Sequence, residues 1–228
     1  MDFESLLASS AEAHGHLCPG QVVGVRMAIL GCHLIGLDDP QSRAQIKKLI
    51  VFVEMDRCAA DAVAHVTGAK LGRRSLKFMD YGIMAASFVN LETGRAFRVV
   101  STEESRTLAP VYAPDIPGRY PQQLEAYKRM PDSVLFRVDE VTIDICDSDL
   151  PGPTRYKATC ARCGQVVRDH REVLVDGRPY CMPCTGGAYF RDARPVSRSE
   201  TDGSRVLPPA ENRQDREPPI KSRSKFLH

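Results

Sequence analysis

Two Cys-x-x-Cys pairs, Cys160-Ala-Arg-Cys163 and Cys181-Met-Pro-Cys184, stand 17 residues apart in this 228-residue chain. No other feature limits the local fold as tightly. Each pair can turn two sulphurs onto one tetrahedral ion, at about 2.3 Å for zinc, and four thiolates close the coordination shell. Between the pairs, Glu172 to Tyr180 reads as a hairpin: an apolar run, the turn Asp176-Gly177, then a second strand. Gly164 follows the first pair, where a tight knuckle needs a small residue. The competing reading, a redox dithiol, fits two pairs around a hairpin less well. A module this small cannot bury a core alone, so metal binding would supply its folding free energy. The expectation is a structural zinc site on Cys160, Cys163, Cys181 and Cys184 with no open position for catalysis. His170, between the pairs, is read as a bystander.

Composition narrows the rest. Hydrophobic residues make up 43% and charged residues 26%, the mix of a globular protein. With 31 basic and 29 acidic residues the formal net charge is +2, which argues against a dedicated nucleic-acid binder. Trp is absent and aromatics reach only 7%, which argues against broad stacking surfaces for single strands. The first fifteen residues hold no Lys or Arg and lack the basic start and apolar run of a signal peptide. The best apolar stretch, Val22 to Leu37, is interrupted by Arg26 and His33, so no membrane span is expected. A cytoplasmic address follows as an expectation. There the eight cysteines would be reduced, as ligands, reactive groups or buried thiols.

The pattern along the chain proposes three segments: a core over 1–150, the four-cysteine module over 155–190 and a tail over 195–228. Leu150-Pro151-Gly152-Pro153 signals the linker. The tail, rich in Pro, Ser, Arg and Glu, reads as disordered. In the core, helices are expected over 2–13, from Pro19 onward to about residue 36, and briefly after Asp38-Asp39-Pro40. Residues 49–55 read as a buried strand, and 58–68 as a helix ending at Gly68. Strands are expected over 75–79, 83–91 and 95–101, a helix over 121–130, and an alternating strand over 134–146.

A second constellation lies in the core. His14-Gly15-His16-Leu17-Cys18-Pro19-Gly20 packs two imidazoles and a thiol into five residues. If the loop is extended, His14, His16 and Cys18 share one side. The helix that follows starts here, and its positive end favours a thiolate at Cys18. Imidazole and thiolate together suit zinc, iron, copper or nickel more than magnesium. Glu54-Met55-Asp56-Arg57-Cys58-Ala59-Ala60-Asp61 forms the other half, at the end of a buried strand and the start of a helix, where open α/β sheets bind ligands. Asp61 can face the same way as Cys58, and Asp56 is placed as a helix N-cap. Cys32 and Cys146 read as buried thiols, and His33 and His65 as helix-face residues without partners. Asp80-Tyr81-Gly82 closes a strand, lining a pocket or simply making a turn.

These residues resemble the FmdE family, named for the E component of formylmethanofuran dehydrogenase. The resemblance rests on HGHLCPG over 14–20, Val53 to Ala62, Thr67 to Gly72, Asp80-Tyr81-Gly82, and Pro131 to Ile143 with the C-terminal four cysteines. It implies an α+β core, with helices packed on a mixed or antiparallel sheet, followed by a zinc-ribbon or treble-clef-like domain, as a homodimer. It also implies a core metal or active site on His16, Cys18 and Cys58, with the two thiols as candidate catalytic groups. His14, Asp56, Asp61 and Asp80 would support it. The core metal would be zinc, iron or nickel. Two positions depart from the family pattern: Ala69 stands where many members have Cys, and Ile83 where they have Lys. Any chemistry that used that thiol and that cation would be altered.

Three functions remain open on this reading. The chain is an accessory or metal-handling protein for a molybdenum or tungsten formylmethanofuran dehydrogenase in one-carbon metabolism. Alternatively it is a stand-alone metal- or thiol-dependent enzyme of unstated substrate. The third reading is a metal or ligand sensor whose zinc ribbon contacts a partner or DNA.

Overall fold

The computed structural model describes residues 1–194 and 196. The expected tail therefore lies outside the described residues, Val196 apart. Among the described residues no helix is long and apolar enough to cross a membrane.

The chain opens with two helices, α1 (Phe3–His14) and α2 (Pro19–Leu34). Asp2 caps α1, its carboxylate accepting from the Ser5 N–H at 2.9 Å, and Gly15 ends the helix at φ +95°. Pro19 starts α2 without losing a needed donor. Strand β1 (Leu49–Val53), helix α3 (Cys58–Thr67) and strands β2 (Leu76–Phe78), β3 (Ala85–Asn90) and β4 (Ala96–Ser101) follow. Four helices come next: α4 (Glu103–Thr107), α5 (Ala109–Tyr112), α6 (Arg119–Arg129) and α7 (Asp132–Leu135). Strand β5 (Phe136–Glu140) completes the core.

The strands form one mixed five-stranded sheet in the order β2-β1-β3-β4-β5; β1 and β2 run parallel and the other pairs antiparallel. This is an α+β core. One face of the sheet, with Val51, Val53, Phe88 and Val99, packs against Val22, Val25 and Met27 of α2 and Val63 of α3. The opposite face is narrower: Ile50, Val89 and Ala96 are covered by Val141, Ile143, Ile145 and Leu150. At the end of β1, the buried Glu54 carboxylate takes both arms of Arg98 from β4, at 2.7 and 2.6 Å. That fork, nearly closed to solvent on the carboxylate side, holds the strand end from which Cys58 is delivered.

Four expectations need correction. The short helix after Pro40 does not form; the segment makes turns, because its side chains serve other backbone groups. Gln41 Nε2 donates to the carbonyls of His65 and Val66, at 2.8 and 3.1 Å, tying the turn to the end of α3. The strand expected to 146 pairs only over β5. Its alternation continues because Val141, Ile143 and Ile145 lie on one face of the sheet, so the period reports one-sided burial rather than a ladder. Cys146 is consequently exposed, not buried, with Ser148 Oγ 3.2 Å from its sulphur. Cys32, by contrast, is fully buried, and burial pushes its thiol up to about 12. Both helix-face histidines have partners: His33 Nδ1 lies 3.0 Å from Asp38 Oδ1, and His65 Nε2 lies 3.0 Å from Ser9 Oγ. The short helices α4, α5 and α7 add to the expected set, and the cap of α4 is legible in Thr102, whose hydroxyl accepts from the Ser105 N–H at 3.2 Å.

The C-terminal module consists of two small hairpins, β6 (Lys157–Thr159) with β7 (Val166–Arg168), and β8 (Val173–Val175) with β9 (Arg178–Tyr180). It is held to the β2 edge of the core by a charged seam. Arg74 pairs with Asp169, Arg171 pairs with Asp149, and Lys77 Nζ donates to the Asp149 carbonyl at 2.7 Å.

Close helix–sheet packing depends on Gly31 of α2. A Cβ there would overlap the ring of the fully buried Phe88, which has no room to retreat. Gly31→Ala is expected to destabilise the core by about 1–3 kcal/mol in urea denaturation; an unchanged midpoint would contradict this packing.

Candidate metal centres

In the C-terminal module the ligand atoms of Cys160, Cys163, Cys181 and Cys184 all lie within 4.8 Å of one another. Cys163 Sγ and Cys181 Sγ are 3.6 Å apart, close to the ~3.8 Å edge of a tetrahedron with 2.3 Å zinc–sulphur bonds. The knuckles are built by the backbone. The Gly164 N–H donates to the Cys160 carbonyl at 3.0 Å, Gly164 itself sits at φ +72°, and the Cys160 N–H donates to the Gln165 carbonyl at 2.9 Å. The Ala161 N–H reaches across to the Pro179 carbonyl at 2.8 Å, which joins the two hairpins. The electrostatics suit a cation. Backbone N–H groups of Cys163 and Cys181 pull the Cys160 thiol down to about 6, while the neighbouring Cys181 side chain and burial push Cys184 up to about 12. Four thiols this close cannot all ionise by themselves; one divalent ion on the four sulphurs removes that conflict. His170 stands outside the group, its ring over Tyr156 with centroids 4.1 Å apart.

The core contains a second group, made where two helix N-termini converge. Cys18 is the N-cap of α2 and Cys58 the first residue of α3. His14, the last residue of α1, joins them; the ligand atoms of all three lie within 4.8 Å of one another. Burial pushes the Cys18 thiol up and the adjacent Cys58 thiol adds to this, while the Gln21 and Gly20 N–H groups pull it down. Gly20 permits the close approach: a Cβ there would stand 3.0 Å from Cys58 Cβ and 3.6 Å from Cys18 Sγ.

His14 shows the polarity of the group. Its Nδ1 lies 3.0 Å from Asp61 Oδ2, which fixes the ring. Its Nε2 is buried and has no hydrogen-bond partner, the one such side-chain atom among the described residues. A buried polar nitrogen without a partner is costly, and a metal ion shared with two sulphurs is a natural partner for it. The carboxylate–histidine–metal arrangement is common because the carboxylate fixes the tautomer and raises ligand basicity. The three donors therefore fit a soft transition metal and leave room for a fourth ligand.

The expected site is thus rearranged. His16, expected as a ligand, is exposed and outside the three-atom group; its ring lies tilted against His14, centroids 4.8 Å apart. The extended-loop alternation fails because His14 belongs to α1 and Gly15 turns the chain immediately after it. His14, expected only as support, takes the inner place. Asp56 is not the N-cap of α3; Arg57 holds that position, with no side-chain cap. Asp56 instead lines an open cleft of ≈ 450 Å³ at His14 and Cys58, with Arg57 and Asp61. Asp80 is exposed beyond β2 and joins neither group. At the start of α6, Tyr120 is exposed, and burial, then the charges of Cys18 and Cys58, push its phenol up.

Comparison with known proteins agrees with this architecture. Residues 13–137 match the family described as FmdE, molybdenum formylmethanofuran dehydrogenase operon. The chain belongs to the FmdE family. A protein of Archaeoglobus fulgidus, described as a probable S-adenosyl-L-methionine-binding protein, is 31% identical over 221 residues, 89% of this chain. The match spans 58% of that relative's length. The crystal structure of a tungsten formylmethanofuran dehydrogenase FmdE-like protein from Syntrophus aciditrophicus is similar with a TM-score of 0.54. It covers 83% of this chain and 95% of that one at 20% identity, a likeness of fold.

Two variants test the centres separately. Asp61→Asn is expected to lower the affinity of the core group for Co(II) about 10–100-fold, read from thiolate charge-transfer absorbance; equal affinity would remove Asp61 from the site. Cys163→Ser is expected to expose residues 155–190 to protease while leaving the core resistant. Unchanged resistance of the module would remove the structural zinc site.

Proposed function

We propose that this chain is a metal-binding accessory or metal-handling protein, related to molybdenum or tungsten formylmethanofuran dehydrogenase, with two unlike sites. The four-cysteine site holds zinc and folds the C-terminal module. The core site, on His14, Cys18 and Cys58, takes zinc, iron or nickel and presents it to a fourth ligand from the cleft. The observation that carries this reading is the His14 ring: Asp61 holds one nitrogen, and the other is buried, unpartnered and within reach of two thiols. A metal there would supply Lewis acidity. The protein's own part is to aim three soft donors, place two helix N-termini behind the sulphurs and leave one side accessible. The family description supports the link to the dehydrogenase operon.

A second reading has its own support. The cleft carries Arg57 beside Asp56 and Asp61. A guanidinium can pair with a carboxylate, and the two acids with an ammonium, which are the two charges of an amino-acid head group. S-adenosyl-L-methionine carries that head group, and the Archaeoglobus relative is described as a probable binder of it. On this reading the core is a stand-alone ligand-dependent enzyme, with Cys18 and Cys58 as ligands or nucleophiles.

Elemental analysis decides the first reading. Wild type reconstituted with Zn, Fe or Ni is expected to hold two metals per chain, and the Cys18→Ser/Cys58→Ser double variant one. One zinc in both, after reconstitution, overturns the core metal. Calorimetric titration with S-adenosyl-L-methionine addresses the second; the expected result is binding weakened by Arg57→Ala. Absence of heat in both metal-loaded and metal-free protein removes it.

A further inference from the structure

The near-neutral net charge of the chain conceals a segregation. Residues 1–154 contain sixteen basic and twenty acidic residues, a net charge of −4. Residues 155–194 contain eight basic and four acidic residues, a net charge of +4 on a module of 40 residues. Two of the module's four acids, and Asp149 beside it, have partners, while Asp176 and Asp192 have none among the described residues. Asp169 is held by Arg74 of the core, Asp149 by Lys77 and Arg171, and Glu172 lies 3.4 Å from His170. Among the described residues, no carboxylate stands within ion-pair distance of Arg155, Lys157, Arg162, Arg168 or Arg178.

The β6–β7 hairpin concentrates this imbalance. Lys157 and Arg168 are register partners, directly opposite each other on the antiparallel pair, and both are exposed. Like charges directly opposite destabilise a two-stranded sheet. Their neighbours on the outward face, Thr159 and Val166, add no compensating charge, while Ala158 and Val167 turn inward and are half-buried. An external anion between Lys157 and Arg168 would relieve this repulsion. A metal on the four cysteines would hold the surface rigid, and the acidic core repels a polyanion from the remainder of the molecule.

We propose that the outward face of β6–β7 binds the phosphodiester backbone of nucleic acid, with Lys157 and Arg168 as adjacent phosphate contacts. Phosphates in a nucleic-acid strand recur at a spacing that two cross-strand cations can bridge, and such contacts position a protein without reading sequence. The metal-binding core would then be joined to a nucleic-acid-contacting module, which goes beyond the metal reading above and does not depend on it.

The test uses the full zinc-loaded chain and fluorescence anisotropy with a labelled DNA duplex and with its single strand. Saturable binding is expected to at least one of them, weakening as salt rises from about 50 to about 200 mM. Lys157→Glu/Arg168→Glu is expected to weaken it at least tenfold and, on a duplex, to make the log–log salt slope shallower by about 2. Arg43→Glu/Lys47→Glu, on the exposed turn of the core, is the control for bulk charge and is expected to bind as wild type. Retention of one zinc in the module shows that the test variant is folded; should it lose zinc, Lys157→Gln/Arg168→Gln replaces it with the same expected direction. No binding at low salt overturns the proposal. So does equal binding by the test variant, which would move the contact to residues 195–228. Salt-sensitive self-association lost in the variant, without nucleic-acid binding, overturns it in favour of the acidic core of a second copy.

Discussion

The core site depends on one buried amide. Gln21, in the first turns of α2, is fully buried; its Oε1 accepts from Ser10 Oγ of α1 at 2.6 Å and its Nε2 donates to the Cys58 carbonyl of α3 at 2.7 Å. Three helices are thereby tied at the point where each contributes a donor: His14 from α1, Cys18 from α2 and Cys58 from α3. Leaving one end of such a buried amide unsatisfied costs about 1–3 kcal/mol, so the contact also sets how far the helices can slide. Gly24 adds the other condition. A Cβ there would lie 2.5 Å from the Ala59 carbonyl oxygen, so α2 and α3 meet backbone to backbone. The thiol separation is therefore set by rigid helix packing rather than by a loop.

The two groups that could hold a metal differ in physical logic. The four-cysteine group is closed and built by backbone knuckles on minimal hairpins that have almost no apolar core; the ion would be the core. The His14–Cys18–Cys58 group sits on a domain that has a hydrophobic core of its own. Its donors His14 and Cys58 open on a cleft with Asp56, Arg57 and Asp61. The charged seam of Arg74, Lys77, Asp149, Asp169 and Arg171 joins the two modules through ion pairs.

Much of this is legible in residue order. The CxxC pairs and the hairpin between them specify a four-cysteine group because local spacing alone brings the sulphurs together. HGHLCPG and the strand–helix junction at Cys58 mark the core site because Pro19 and the apolar run over 49–53 place both thiols at helix starts. What fails, fails for tertiary reasons. Alternation points to His16, but a helix end at His14 and a left-handed Gly15 put the other imidazole inside. Cys146 reads as a buried thiol, yet beyond β5 its segment packs on one face of the sheet without pairing and leaves the sulphur exposed. The turn at 38–48 reads as helical, yet the end of α3 takes the Gln41 amide.

Residue order alone suffices for most of the elements, the soft donor types and the four-cysteine module, since each rests on interactions between residues close along the chain. Long-range packing settles the remainder: which histidine meets the two thiols, that Asp61 orients it, and that Arg171 of the module finds Asp149 while Lys157 and Arg168 have no carboxylate in ion-pair distance among the described residues. Those depend on distances between residues tens of positions apart, set by packing Gly24 on Ala59, Gly31 on Phe88 and Gln21 between three helices, which no local pattern encodes.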